Sequence, residues 1–159
     1  MSLGVQALPE VATEIPMNIP EGAKILIVTE DGSDAEQIRA LLRKGGLDAE
    51  CATDITTGGE TVTSGRFQAV ISSPRFKDGS WRQLIAIANR YNLHFEVLLW
   101  AQNFDLQEWT EALRDGAFDV LDAIRERARA VEATKCALWS AYLKGGGPNA
   151  RAVRPYKVA

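Results

Sequence analysis

The chain has 159 residues, the length of one ordinary domain, and with 46% hydrophobic and 25% charged residues it is not a wholly disordered polypeptide. Its longest apolar runs, 84–88 and 97–101, hold five residues, against the roughly 20 that a membrane-spanning helix needs, so no membrane partner is expected. The net charge of −3 hides an asymmetry: residues 1–124 carry 19 acidic and 10 basic groups, whereas residues 125–159 carry 2 and 8.

Residues 1–22 contain Pro9, Pro16 and Pro20 without sustained periodicity and read as a tail or linker. No basic stretch followed by a long apolar one opens the chain, so no secretory leader is expected. From Lys24 the pattern changes. Residues 24–28 form a short apolar, partly β-branched run, as expected of a strand buried on both faces of a parallel sheet. Ser33 and Glu36 have the spacing of a capping box. Ala35, Ile38, Leu41 and Leu42 follow at helical spacing, and Gly45 and Gly46 stop that helix.

A second strand is predicted over 49–53. Residues 55–64, rich in Thr and Gly, make a poor helix by propensity. Residues 67–72 read as a third strand and 73–80 as a loop containing Pro74, Asp78 and Gly79. A helix over 81–91 places Trp81, Leu84, Ile85 and Ala88 on one face. A fourth strand covers 95–100. Asp105 and Glu108 start a capped helix that ends near Asp115 and Gly116, and 118–121 is a short fifth strand. A long helix is predicted from about 122 to 144, ended by three glycines and Pro148, with a basic tail over 145–159.

Five strands alternating with five helices predict an α/β fold, a doubly wound parallel sheet with helices on both faces. The working crevice of such folds lies at the carboxyl ends of the strands. That directs attention to Thr29, Glu30, Asp31, Ser73, Trp100, Ala101, Asp122 and Ala123.

Residues 24–124 resemble the receiver domain of bacterial response regulators, the CheY-like (flavodoxin-like) fold. Three segments carry the likeness: the run 24–28 followed by acidic residues, the segment from Ser73 to Trp81, and Gly116-Ala-Phe-Asp-Val-Leu121, which is similar to the family's Gly-Ala-x-x-Tyr-Leu signature. The resemblance implies a (βα)5 domain over 23–144, with the long final helix included, working in phosphorelay signal transduction of the two-component type. It also implies that the phosphoacceptor Asp is matched by Ser73, the acidic pair by Thr29 and Glu30, the switch Thr or Ser by Trp100, and the lysine by Ala123.

These losses belong together chemically. A receiver holds a hard Mg²⁺ ion with oxygen ligands while a phosphoryl group moves onto a carboxylate. Glu30 and Asp31 are weak candidates for a metal, and a neutral serine is a poor nucleophile without a base. A buried lysine without carboxylate partners would be costly. The expectation is therefore a pseudo-receiver with no catalytic residue, no cofactor and no enzymatic activity.

Other residues carry competing readings. His94 precedes the fourth strand and Ser73 follows the third, roughly 20 Å apart across the sheet, so a Ser–His pair is not expected. Gly58 and Gly59 lack the rest of any phosphate-loop pattern. Cys51 and Cys136 form no zinc or disulfide pattern and read as small buried hydrophobes in a reducing, cytoplasmic protein. Leu121, Ile124, Ala128, Val131, Lys135, Leu138 and Tyr142 have 3-4 spacing. Val131, Leu138, Trp139 and Tyr142 are expected to reach beyond the domain and meet a protein partner, a second copy above all. Arg125, Arg127, Arg129 and Lys135, with Arg151, Arg154 and Lys157, raise nucleic acid as an alternative, but no binding module follows them. The other alternative is a small-molecule-binding flavodoxin-like domain or enzyme, with an open pocket at Glu30 and Ser73 and Trp100 in its wall.

Overall fold

The structure is a computed structural model that describes residues 18–146. Five strands, β1 (Ile25–Val28), β2 (Ala49–Ala52), β3 (Ala69–Ser72), β4 (Glu96–Ala101) and β5 (Asp119–Asp122), pair in parallel in the order β2-β1-β3-β4-β5. The helices are α1 (Gly32–Lys44), α2 (Ile55–Val62), α3 (Arg82–Tyr91), α4 (Leu106–Arg114) and α5 (Ala130–Lys144). The expected α/β (βα)5 architecture is present.

Strand alternation divides the core. Leu26, Val28, Val70, Val97 and Leu99 pack with α2, α3 and α4 residues such as Val62, Leu84 and Ala112. Ile25, Ile27, Ile71, Leu98 and Leu121 pack with Ile38 and Leu42 of α1 and with Ala137 and Leu138 of α5. Every residue of β1, β3 and β4 is buried, which is why these strands read as continuous apolar runs.

Three local expectations are corrected. First, the cap of α1 is Asp31, not Ser33: the Asp31 carboxylate accepts from the Ser33 and Asp34 backbone N–H groups. The chain leaves β1 so abruptly that the first acceptor in helical position is two residues earlier than the box suggested. Second, the poor propensity of 55–64 is overridden: 55–62 is the full helix that the count of five requires. Asp54 caps it through Thr57 N, and its two glycines permit close packing: a Cβ on Gly58 would meet Val28 Cγ1 at 2.9 Å, and one on Gly59 would meet Ile87 Cδ1 at 2.7 Å. These glycines serve packing and do not form a phosphate loop.

Third, no helix runs from 122 to 144. The Asp122 carboxylate accepts from the N–H groups of Ile124 and Arg125, both at 2.9 Å, and makes a turn. A 3-10 turn (Arg127–Arg129) follows, and α5 starts only at Ala130. The apparent stripe from Leu121 to Ala128 is a strand end, an exposed turn residue (Ile124) and a 3-10 residue.

The loop 73–80 contains a hairpin, Arg75–Phe76 with Gly79–Ser80. At its tip Asp78 accepts from Ile55 N, Thr56 N and the Thr56 hydroxyl, so it caps α2 from outside the helix. These bonds hold the Asp78 carboxyl below the usual aspartate value, the Thr56 hydroxyl contributing most. A lowered value means stabilisation that is present at neutral pH and lost as pH falls through it. Asp78→Ala is expected to lower the thermal midpoint at neutral pH, with the gap to the parent protein closing as both are acidified below about pH 4. Scanning calorimetry across that range checks it.

Candidate functional site

At the carboxyl ends of β1 and β3, Thr29 and Ser73 meet. Thr29 is buried, and its Oγ1 accepts from Ser73 Oγ at 2.8 Å and from Asp31 N at 3.1 Å. The Ser73 N–H donates to Val28 O at 3.0 Å, which fixes the serine beside β1. Glu30 points outward, and its Oε2 accepts from Lys77 N of the hairpin at 2.8 Å. Asp31 is engaged at the α1 N-terminus. Glu30 and Asp31 are therefore each engaged through one carboxylate oxygen, and Thr29 Oγ1 accepts two bonds. Among the described residues no three His, Cys, Asp or Glu side chains are grouped as a metal ion requires, and the Mg²⁺ ion implied by the resemblance does not fit this donor set.

Trp100 and Ala123 lie on the other side of the crevice, in the core layer under α1 and α5. Trp100 is 3% exposed and Ala123 2%. Trp100 is thus a buried plug, not the wall of an open pocket. Its Nε1 is buried without a hydrogen-bond partner in bonding geometry among the described residues. Arg127 arches back over this corner, and its Nε donates to Ala123 O at 2.7 Å. Asp34, on the first turn of α1, lies near Trp100 and Arg127 but is hydrogen-bonded or ion-paired to neither. Burial, followed by the nearby Asp31 charge, raises its carboxyl above the usual aspartate value, against the pull of the Trp100 N–H and Arg127.

The strand order 2-1-3-4-5, with helices on both faces and the crevice at the carboxyl ends, can be set against known structures. The signal receiver domain of a LuxO-type repressor from Vibrio parahaemolyticus superposes with a TM-score of 0.70 at 15% identity, over 77% of this chain and 95% of that one. A response regulator receiver domain protein from Clostridium thermocellum gives 0.67 at 22% identity, over 76% and 98%. The beryllofluoride-activated NtrC4 receiver domain dimer gives 0.66 at 16% identity, over 74% and 98%. The chain has the receiver fold. No protein-family model and no curated protein sequence matches it. The receiver fold brings together Thr29 and Ser73, which lie far apart in sequence, and sets Trp100 and Ala123 in one layer with Asp34 at its edge.

Several expectations change within the receiver fold. Leu138 is 0% exposed, packed in the core under α5, and Val131 packs against Gly45 at the end of α1. Neither reaches outward to a partner, because the domain's own sheet needs α5 as cover. Trp139 and Tyr142 are half-buried, with rings 5.5 Å apart in a T-shaped pair, and Trp139 Nε1 donates to Asn18 O. Cys51 and Cys136 are exposed, not buried; Cys51 Sγ accepts from Arg39 at 3.0 Å. Arg129 is paired with Asp119 at 2.6 Å and with Glu126 at 3.0 Å, and Arg127 is bonded to the backbone, which weakens the case for phosphate contact. Arg151, Arg154 and Lys157 lie outside the described residues, as do 1–17 and most of the basic tail.

Two features escaped sequence reading. Glu96 is 6% exposed at the start of β4, and its carboxylate accepts from Ser140 Oγ at 2.5 Å and Lys144 Nζ at 2.7 Å, tying α5 to the sheet. Its signal was a lone acid opening an otherwise apolar strand. Asp34 was legible only as part of a helix start. His94 is exposed at this amino end, at the opposite end of the sheet from Ser73.

Proposed function

We propose that the protein is a receiver-fold signalling module of the response-regulator type that works by protein–protein contact and is not switched by phosphorylation. The observation that carries this reading is the Ser73–Thr29 pair, two neutral hydroxyls bonded to each other where the resemblance calls for carboxylates. A phosphoryl acceptor needs a nucleophile activated by a base or a metal. Ser73 Oγ donates a hydrogen bond to Thr29, no histidine is near, and Glu30 is turned to the hairpin. With Ala123 in the lysine's place, no cation supports a migrating phosphoryl group from that position. No catalytic residue is assigned.

Incubation with acetyl phosphate and Mg²⁺, followed by intact-mass measurement, is expected to give no phosphoryl adduct. Stoichiometric labelling would overturn the proposal.

The contact surface of this reading lies on the outside of the fold. Leu106 is 82% exposed at the start of α4, and Ile124 is 60% exposed in the turn after β5, both at the carboxyl-end rim. A second copy is the partner this reading favours, and the similar NtrC4 receiver domain is described as a dimer. The alternative of an open small-molecule pocket loses its main support because Trp100 is buried. No helix among the described residues is long and apolar enough to cross a membrane.

A further inference from the structure

The connection from β3 to α3 is a hydrogen-bonded hairpin, and it is tied down at three separate places. Arg75 pairs with Ser80 and Phe76 with Gly79, and the Trp81 N–H donates to Pro74 O at 3.2 Å to close the base. Phe76 is buried in the core cluster that holds Ile55 and Trp81, which roots the hairpin in the domain. On one side, Arg75 Nη2 donates to Glu108 Oε2 at 2.9 Å, on the first turn of α4. On the other, Asp78 accepts from Ile55 N, Thr56 N and the Thr56 hydroxyl, on the first turn of α2. Between these ties, the Lys77 N–H donates to Glu30 Oε2 at 2.8 Å, just beyond β1.

The sheet order gives these ties a span. Helix α2 follows β2 and α4 follows β4, and in the order β2-β1-β3-β4-β5 those two strands lie three spacings apart, roughly 14 Å. The hairpin leaves β3, between them, and reaches one way to α4 and the other way past the end of β1 to α2. Glu108 extends the link: its Oε1 accepts from Asp105 N at 3.0 Å, so the carboxylate that receives Arg75 also completes the cap of α4. Asp78 likewise satisfies N–H groups that α2 cannot pair internally. The piece between the ties is stiff. Its turn uses Gly79 at φ +152°, a conformation that favours glycine, and Ser80 N donates to Gln83 Oε1 at 2.9 Å. A stiff unit tied at both ends cannot yield at one end without straining the other.

We infer that the hairpin over 75–80 is a strap that couples the N-termini of α2 and α4 across the crevice: freeing it at either helix loosens its hold on the other and on Glu30. The two ends differ in strength. Arg75 is mostly exposed, and an exposed ion pair is a weak contact that salt screens, whereas Asp78 accepts three bonds. The strap therefore gives way first at α4, beside the exposed Leu106, and a change at that rim reaches α2 through the hairpin. The strap goes beyond the proposed function and does not rest on it, since neither a phosphoryl group nor a partner enters the argument.

The test is amide exchange measured by NMR on the full chain, read at each end after a cut at the other. The Thr56 N–H is bonded to Asp78 and not to Arg75. In Arg75→Ala it is expected to exchange about two- to fivefold faster, the scale of one exposed ion pair. The Asp105 N–H is bonded to Glu108 and not to Asp78, and it is expected to quicken in Asp78→Ala. Arg66→Ala is the control: it removes an exposed pair with Glu50, 3.6 Å long and off the strap, and is expected to leave both amides at the parent rate. A Thr56 rate unchanged in Arg75→Ala, an Asp105 rate unchanged in Asp78→Ala, or equal quickening of either amide in Arg66→Ala would each overturn the strap.

Discussion

Leu138→Asp is expected to unfold the domain. Leu138 is 0% exposed, in the layer formed by Ile27, Ile71, Leu98 and α1. The substitution removes a fully buried leucine, worth about 2–5 kcal/mol when cut to alanine. It also puts a carboxyl in an apolar site with no planned partner, which adds a desolvation cost of about 1–3 kcal/mol even when the group is neutral. The sum rivals the roughly 5–15 kcal/mol that holds an ordinary domain together. Far-UV circular dichroism and the thermal unfolding profile check it, with loss of the cooperative transition expected. The same variant separates two views of α5. A seam between copies predicts a folded monomer by light scattering, whereas core burial predicts loss of fold whatever the oligomeric state of the parent. A folded, monomeric Leu138→Asp would mean that the burial of α5 against its own sheet is wrong.

The difference between these views shows what the sequence made legible. β1, β3 and β4 stood out because burial on both faces leaves them no polar alternation, and the glycines after α1 marked its end. The Asp105–Glu108 capping box was found because both halves of the reciprocal bond lie within four residues. The start of α5 was misplaced because 3-4 spacing runs by chance through a strand end, an Asx-type turn and a 3-10 turn. The bonds from Ile124 N and Arg125 N to Asp122 and the 3-10 turn that follows make the interruption. Helix α2 looked weak because the benefit of Gly58 and Gly59 lies in Val28 and Ile87, which local propensity does not count. At the site, the order of strand ends named Thr29, Ser73, Trp100 and Ala123 as a group. The Thr29–Ser73 bond is a product of the sheet order, and local pattern carries no trace of it.

Trp100→Ala is expected to cost about 3–5 kcal/mol, the range for emptying a large buried aromatic site. Trp100 is 3% exposed and packs in one layer with Ile38, Leu121, Ala123 and Ala130. Ala123 and Ala130 are too small to collapse into the space, so most of the void remains. Trp100→Phe is the control. It keeps much of the apolar volume and deletes an N–H that has no partner in bonding geometry, so its cost is expected to be under about 1.5 kcal/mol. Denaturant unfolding of the three proteins gives the comparison. Similar losses for Ala and Phe would mean that the indole N–H, and not the ring volume, matters to stability. The contrast also bears on how the crevice came to hold these residues. A tryptophan and an alanine in one core layer fill space that a small hydroxyl residue and a long lysine would divide otherwise. Ala123→Lys alone should be strongly destabilising, because Ala123 is buried in the layer that holds Trp100 and the ammonium finds no carboxylate cluster. Combined with Trp100→Ala, it should cost less than the sum of the two single changes. Strict additivity would show that the two positions do not share the space, and that the plug at Trp100 is independent of the missing lysine.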